Sequence, residues 1–170
     1  GLMAGKAVGA AGIAVAGAGA AVGAAMYEIV ESSAQANDVL AKQARRSGLS
    51  AQAYAELRHA ADLAGVSQEE FGKSVEKMTR NMGDLRLGTG SLYTTLKKGS
   101  PALLEQLKAT KDSGEAFDLL TGAIAKLKSP ADKASLATAA FGRAGGKMTL
   151  LVQDGAKGLA KARAEFTRLH

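Results

Sequence analysis

From Ala7 to Tyr27 no position carries a charge or a strongly polar side chain, whereas beyond Glu28 apolar residues recur every three or four places. The first pattern predicts one long apolar helix, and the second a succession of amphipathic ones. Nothing between Ala20 and Ser47 breaks the first helix, so it runs on into a polar stretch ending at Arg46. That makes about forty residues and about 60 Å of helix. Ser47-Gly48 closes it. Ser50 is a fair N-cap for a second helix with Ala53, Leu57, Ala60, Ala61 and Ala64 on its apolar face, and Gly65 stops that helix. Ser67-Gln68-Glu69-Glu70 reads as a capping box, and Phe71, Val75, Met78, Met82 and Leu85 repeat behind it at helical spacing. A methionine stripe of this kind is core. Leu87 to Ser91 is a loop, and Leu92 to Lys98 a short helix at most. Ser100-Pro101 and Ser129-Pro130 each place proline first in a helix, where its missing amide costs nothing. Leu103, Leu104 and Leu107 fill the first of these, and Ala134, Leu136, Ala137, Ala140 and Phe141 the second. Between them Ser113 opens a helix carrying Phe117, Leu120, Ile124 and Leu127, and Asp154 to His170 closes the chain with Leu159, Ala162, Phe166 and Leu169 inward. No stretch has strand periodicity. The class is all-α, in two parts: a long hydrophobic-to-polar helix over 1–46 and an array of short antiparallel helices over 47–170.

Within Ala4 to Met26 the residues are almost all Gly and Ala. Gly5, Gly9, Gly12, Gly19 and Gly23 fall at spacings of four and three, with Ala16 in the remaining place, so six small residues form one seam on a helix. Val8, Val15 and Val22 make a stripe beside it. In water each interior glycine costs about 0.8–1.0 kcal/mol relative to alanine, which makes a lone soluble helix poor. In a bilayer the three valines and Ile13 contribute about 2 kcal/mol together, a small margin. The small-xxx-small spacing suits tight helix–helix packing in lipid. The segment therefore reads as conditionally membrane-active and self-associating. A buried helix of a soluble bundle or coiled coil is the alternative. A secretory signal peptide fits less well, because the apolar run is long and only Lys6 is charged before it. Lys42, Arg45 and Arg46 beyond the run favour the cytoplasmic side.

Composition sharpens this picture in three ways. Hydrophobic residues make up 46% of the 170, yet aromatics only 4%, so large core side chains are scarce and an extended helical array is expected rather than one thick globule. The absence of cysteine excludes disulfides, thiolate metal sites and thiol nucleophiles. The net charge of +6 permits contact with nucleic acid or anionic lipid. Because the chain opens at Gly1 inside an apolar run, it is expected to be a piece of something longer.

The candidate chemical motifs fail on inspection. Gly88-Thr89-Gly90 has Tyr93 where a dinucleotide fingerprint needs its third glycine, and no strand precedes it. Phe141 to Lys147, FGRAGGK, has Phe141 where a phosphate loop needs glycine and Met148 where it needs Ser or Thr. His59 and His170 have no neighbour at metal-ligand spacing. From Arg143 onward there are six Lys or Arg against two acids, a skew that a solvated face explains without a stacking platform for bases. No catalytic, cofactor-binding or metal-binding residue is expected, and no enzymatic role.

Two runs resemble a known family. SGLSAQAYAELRHAADLAGVSQEEF and SLATAAFGRAGGKMTLLVQDGAKGL, in this order within Ser47 to His170, are similar to the helical core region of phage tail tape measure proteins. Phe141-Gly142 followed by Leu150-Leu151, Gly155 and Leu159 resembles that family's most recognisable signature. The family's chains are usually several times longer, and its hydrophobic segments fit the Gly/Ala helix in kind, without residue-by-residue correspondence. The resemblance implies a structural virion protein whose copies pack in the tail-tube lumen and set tail length. On infection it would leave ahead of the DNA and help form a channel through the host membrane. The implied partners are further copies of the chain, tail tube and tail tip proteins, the host inner membrane on ejection, and phage DNA non-specifically. Two other classes stand beside it. A pore-forming toxin or holin-like membrane protein predicts a second apolar segment, which the chain from Glu31 on lacks. A soluble helical adaptor predicts a monodisperse monomer without lipid affinity.

Overall fold

Short polar residues set where the helices begin. In the computed structural model, which describes residues 35–152 and 155–169, every regular element is a helix, and no strand occurs among the described residues. Residues 35–46 form α1, and the chain divides into two units after Lys42. Before that boundary, Lys42 pairs with Asp38 one turn back at 2.6 Å. The Gly/Ala stretch, with the predicted seam of Gly5, Gly9, Gly12, Ala16, Gly19 and Gly23 and the stripe of Val8, Val15 and Val22, lies outside the described residues. Among the described residues no helix is long and apolar enough to cross a membrane.

Gln43–His170 is the second unit. Its α2 (Ala51–Leu63) is capped by Ser50, whose Oγ accepts the Ala53 N–H at 3.1 Å. At the head of α3 (Gln68–Arg86) the capping box is complete. Ser67 Oγ accepts from the Glu70 N–H and a Glu70 carboxylate oxygen accepts from the Ser67 N–H, both at 3.3 Å. The next helix, α4, covers Gly90–Gly99, longer than the short Leu92–Lys98 piece expected. Pro101 and Pro130 stand at the starts of α5 (Pro101–Ala109) and α7 (Pro130–Phe141), as their missing amides dictate. Ser113 opens α6 (Ser113–Lys126), but Asp112 is the N-cap, accepting the Gly114 N–H at 2.8 Å. A 3-10 turn (Gly142–Ala144), a single α turn (Gly145–Met148) and a second 3-10 turn (Thr149–Val152) lead towards α8 (Gly155–Leu169).

The expected extended array is instead one compact unit, because the few large side chains are concentrated rather than spread. Tyr54 of α2, Phe71 of α3, Phe117 of α6 and Phe141 of α7 form a continuous row of rings, with centroids 5.3, 6.5 and 5.7 Å apart. All four are essentially inaccessible. Tilted and edge-on ring pairs at these distances add about 0.5–1.5 kcal/mol each to the burial itself. Around the row, α3 packs against α4 and α7, and α8 returns to lie on α2 and α6. The α3 stripe of Phe71, Val75, Met78, Met82 and Leu85 is fully inward, as its spacing predicts. Three side chains of α3 also bond backbone carbonyls outside it. Thr79 Oγ1 donates to Ser47 at 2.6 Å, Asn81 Nδ2 to Ala139 and Ala140 at 3.0 and 2.8 Å, and Arg86 to Thr110 at 2.9 Å.

Several expected core positions move. Tyr54, not Ala53, is the deeply buried residue in the first turn of α2, because ring stacking on Phe71 outweighs a methyl contact. Burial raises the Tyr54 hydroxyl above its usual pKa. Ala134 is exposed while Ala139 is buried, so α7 turns a different alanine inward than the simple repeat implies. Leu169 is 58% exposed, and the buried side of α8 rests on Leu159 and Ala162.

Candidate functional site at the last helix

The predicted signature spans the stretch where α7 hands the chain to α8. Phe141 ends α7 inside the ring row, and Gly142 then takes a backbone φ of +79°, which an L side chain rarely adopts. A Cβ there would also meet Lys77 Cγ at 3.0 Å. Gly145 has ordinary helical angles but touches α7 directly. A Cβ on it would lie 2.5 Å from the Ala137 carbonyl carbon, 2.7 Å from the Thr138 nitrogen and closer still to the Ala137 oxygen. Only a residue without a side chain lets this turn seat on the α7 backbone. Once seated, it buries Met148, Leu151 and Val152.

An ion pair fastens the same turn to α3. Lys147 Nζ bonds Glu70 Oε1, while Glu70 Oε2 holds the Ser67 N–H and hydroxyl. One carboxylate thus closes the capping box and anchors the turn. The Lys147 ammonium first, and then the Ser67 hydroxyl, hold the Glu70 carboxyl below its usual pKa. Beyond the turn, Arg163 of α8 makes a two-pronged bond to the Asp118 carboxylate of α6 at 2.8 and 3.1 Å. His59 of α2 stacks against Phe166 of α8, centroids 5.7 Å apart.

Two concavities flank α8. One of about 180 Å³ lies between α6 and α8, lined by Thr121, Gly122, Val152 and Leu159 with the Asp118–Arg163 pair alongside. The other, about 370 Å³, lies between α2 and α8. Its walls include Ala60, Leu159 and Ala162, with the exposed Leu63 and Leu150 beside Gly158, Lys161 and Glu165. Among the described residues no three His, Asp or Glu side chains converge as a metal site would require. The first is mostly apolar, while the second carries Lys161 and Glu165 among apolar side chains.

Of the signature residues, Phe141, Leu151 and Leu159 are buried and Gly142 takes the left-handed turn, while Leu150 faces outward at 37% exposure and Gly155 opens α8. Sequence reasoning missed Gly145, whose need for close approach leaves no mark distinguishing it from Gly146. It also missed the Asp118–Arg163 and Glu70–Lys147 pairs, which join residues far apart in the chain. The chain matches no family model, no curated protein and no solved structure.

Proposed function

We propose that the chain is a segment of a phage tail tape measure protein, a structural rather than catalytic component of the virion. The observation that carries this reading is the pair of runs resembling that family, in the family's order. The packing supports it at one point. Residues of the second run take packing positions: Phe141 in the ring row, Gly142 at the left-handed turn, Leu151 and Leu159 buried. A pattern with such a packing role belongs to a fold, not to shared composition. In this reading copies of the chain line the tail-tube lumen in contact with tube and tip proteins, and tail length follows chain length. After ejection the Gly/Ala segment enters the host inner membrane as an oligomer, with Gly5, Gly9, Gly12, Ala16, Gly19 and Gly23 as its seam and Val8, Val15 and Val22 beside it. The assembled channel passes DNA without reading its sequence.

Liposome flotation of the full chain, with oligomer mass measured in lipid, tests this. The wild type is expected to float and to assemble. Gly12→Leu/Gly19→Leu is expected to float still, since leucine favours the bilayer, but to lose the cross-linked oligomer. A wild type that stays in solution removes the membrane half of the reading, and an unchanged oligomer in the variant removes the seam.

A further inference from the structure

We propose that the cleft between the end of α1 and the first half of α3 binds a small zwitterion of the free amino acid class, with the Tyr54 hydroxyl at its floor. The proposal does not depend on the tape measure reading. Three observations converge on it. First, the ring row needs only rings, and three of its four members are phenylalanine. Tyr54, the fourth, carries a hydroxyl that is sealed from solvent and makes no hydrogen bond within the chain. A buried hydroxyl without a partner destabilises the fold that holds it. Second, this hydroxyl lies against Gly72 in the interior of α3, where a Cβ would stand 3.1 Å from it. Glycine is among the poorest helix formers, so the gap also weakens the helix. Third, Tyr54 and Gly72 both line one cleft of about 230 Å³. Two choices that lower stability meet in a single concavity, as residues kept for binding do.

The walls of the cleft define the ligand. Gln43 and Arg46 come from the end of α1, and Gln68, Glu69, Lys73 and Glu76 from α3. Thr79 Oγ1 donates to the Ser47 carbonyl at 2.6 Å and fixes one wall to the other. With two basic and two acidic side chains the walls are neutral in sum, which disfavours a bare anion or cation. Lys73 and Glu69 answer each other at 2.6 Å. Arg46 and Glu76 join none of the ion pairs among the described residues. One unanswered positive group and one unanswered negative group suit a ligand that carries a carboxylate and an ammonium together. Burial raises the Tyr54 pKa, against the pull of Arg58 and with the push of Glu76. At neutral pH the hydroxyl therefore keeps its proton and donates it to the ligand in a hydrogen bond. The cleft's volume equals that of about eight waters, room for a single small amino acid.

The test titrates the isotope-labelled full chain with alanine, serine, valine and glutamine in turn and follows its backbone amide resonances. At least one of them is expected to give saturating shifts centred on Ser47 and Gly72 at millimolar concentrations. Its N-acetyl and α-carboxamide derivatives each lack one charge and are expected to bind about tenfold more weakly. Tyr54→Phe removes one hydrogen bond to the ligand and is expected to weaken binding about tenfold as well. The same variant should unfold at the wild-type urea midpoint or above it, because the lost hydroxyl bonds nothing in the chain. Gly72→Ala sets a methyl group over the hydroxyl and is expected to abolish binding in a chain that still folds. Failure of all the amino acids to saturate the shifts, which leaves the cleft to water alone, overturns the proposal. So does equal binding of a one-charge derivative or of glycerol, unchanged binding by Tyr54→Phe, or a lowered midpoint in that variant.

Discussion

Gly145→Ala adds one methyl group at the point where the turn before α8 sits on the α7 backbone. The added carbon would stand 2.5 Å from the Ala137 carbonyl carbon and 2.7 Å from the Thr138 nitrogen, where ordinary contact is 3.4 Å or more. Neither atom can swing away as a side-chain tip can, so the turn must lift by most of an ångström. Overpacking of this kind costs about 1–3 kcal/mol, occasionally more. Lifting also loosens Met148, Leu151 and Val152, which are 1%, 6% and 5% exposed. Each such side chain gains about 1.5–3 kcal/mol from full burial, so losing a third of that at three positions adds about 2 kcal/mol. Alanine's better helix propensity returns about 0.8–1.0 kcal/mol. The expected net loss is about 2–4 kcal/mol, a large part of a stability of about 5–15 kcal/mol. Gly146→Ala is the control, because a Cβ there meets nothing within 4 Å. It is expected to be neutral or stabilising by up to about 1 kcal/mol. The chain has no tryptophan, so urea unfolding is followed by far-ultraviolet circular dichroism and the midpoints compared at unchanged slope. A Gly145→Ala midpoint within error of wild type, or equal to that of Gly146→Ala, refutes the close-approach argument.

Phe117→Ala opens the middle of the ring row and is expected to cost about 3–5 kcal/mol in the same assay, with Phe117→Leu costing about half of that. Asn81→Ala strands the Ala139 and Ala140 carbonyls in the last turn of α7 and is expected to cost about 1–3 kcal/mol, whereas exposed Gln52→Ala should be near neutral. Glu70 stays ionised in the folded chain at pH values where the unfolded chain has taken up its proton. Its contribution is therefore complete above the usual glutamate range and lost as pH falls below that range. Glu70→Gln should flatten this acid limb of a stability–pH curve and leave the neutral limb's shape unchanged.

Helix positions and most of the core were legible because their causes are local. A serine before Pro130, a glutamate three places after Ser67 and the period of Phe71 to Leu85 act within one or two turns. What was not legible depends on who meets whom. The same composition permits an extended array or a compact unit, and the choice lies in four rings contributed by four helices. Leu169 repeats correctly with Leu159 and Ala162, yet nothing stands opposite it within the unit, so periodicity places it on a face without burying it. At the candidate site the order of Phe141, Gly142, Leu151 and Leu159 was visible, whereas the seating of the Gly145 turn on α7 was not. Gly145 shows the difference most plainly, since its constraint comes from the backbone of another helix and alters no pattern in its own.

The last helix, α8, is held less deeply than the central one. Among the described residues of α8 only Leu159 and Ala162 are buried, supported by one stacked ring and one two-pronged ion pair. The central α3 buries six residues. Elements with little buried apolar surface open at the lowest free energy. Amides of α8 are therefore expected to exchange with solvent well before those of α3. Faster exchange in α3 than in α8 would refute the account of how the last helix is held.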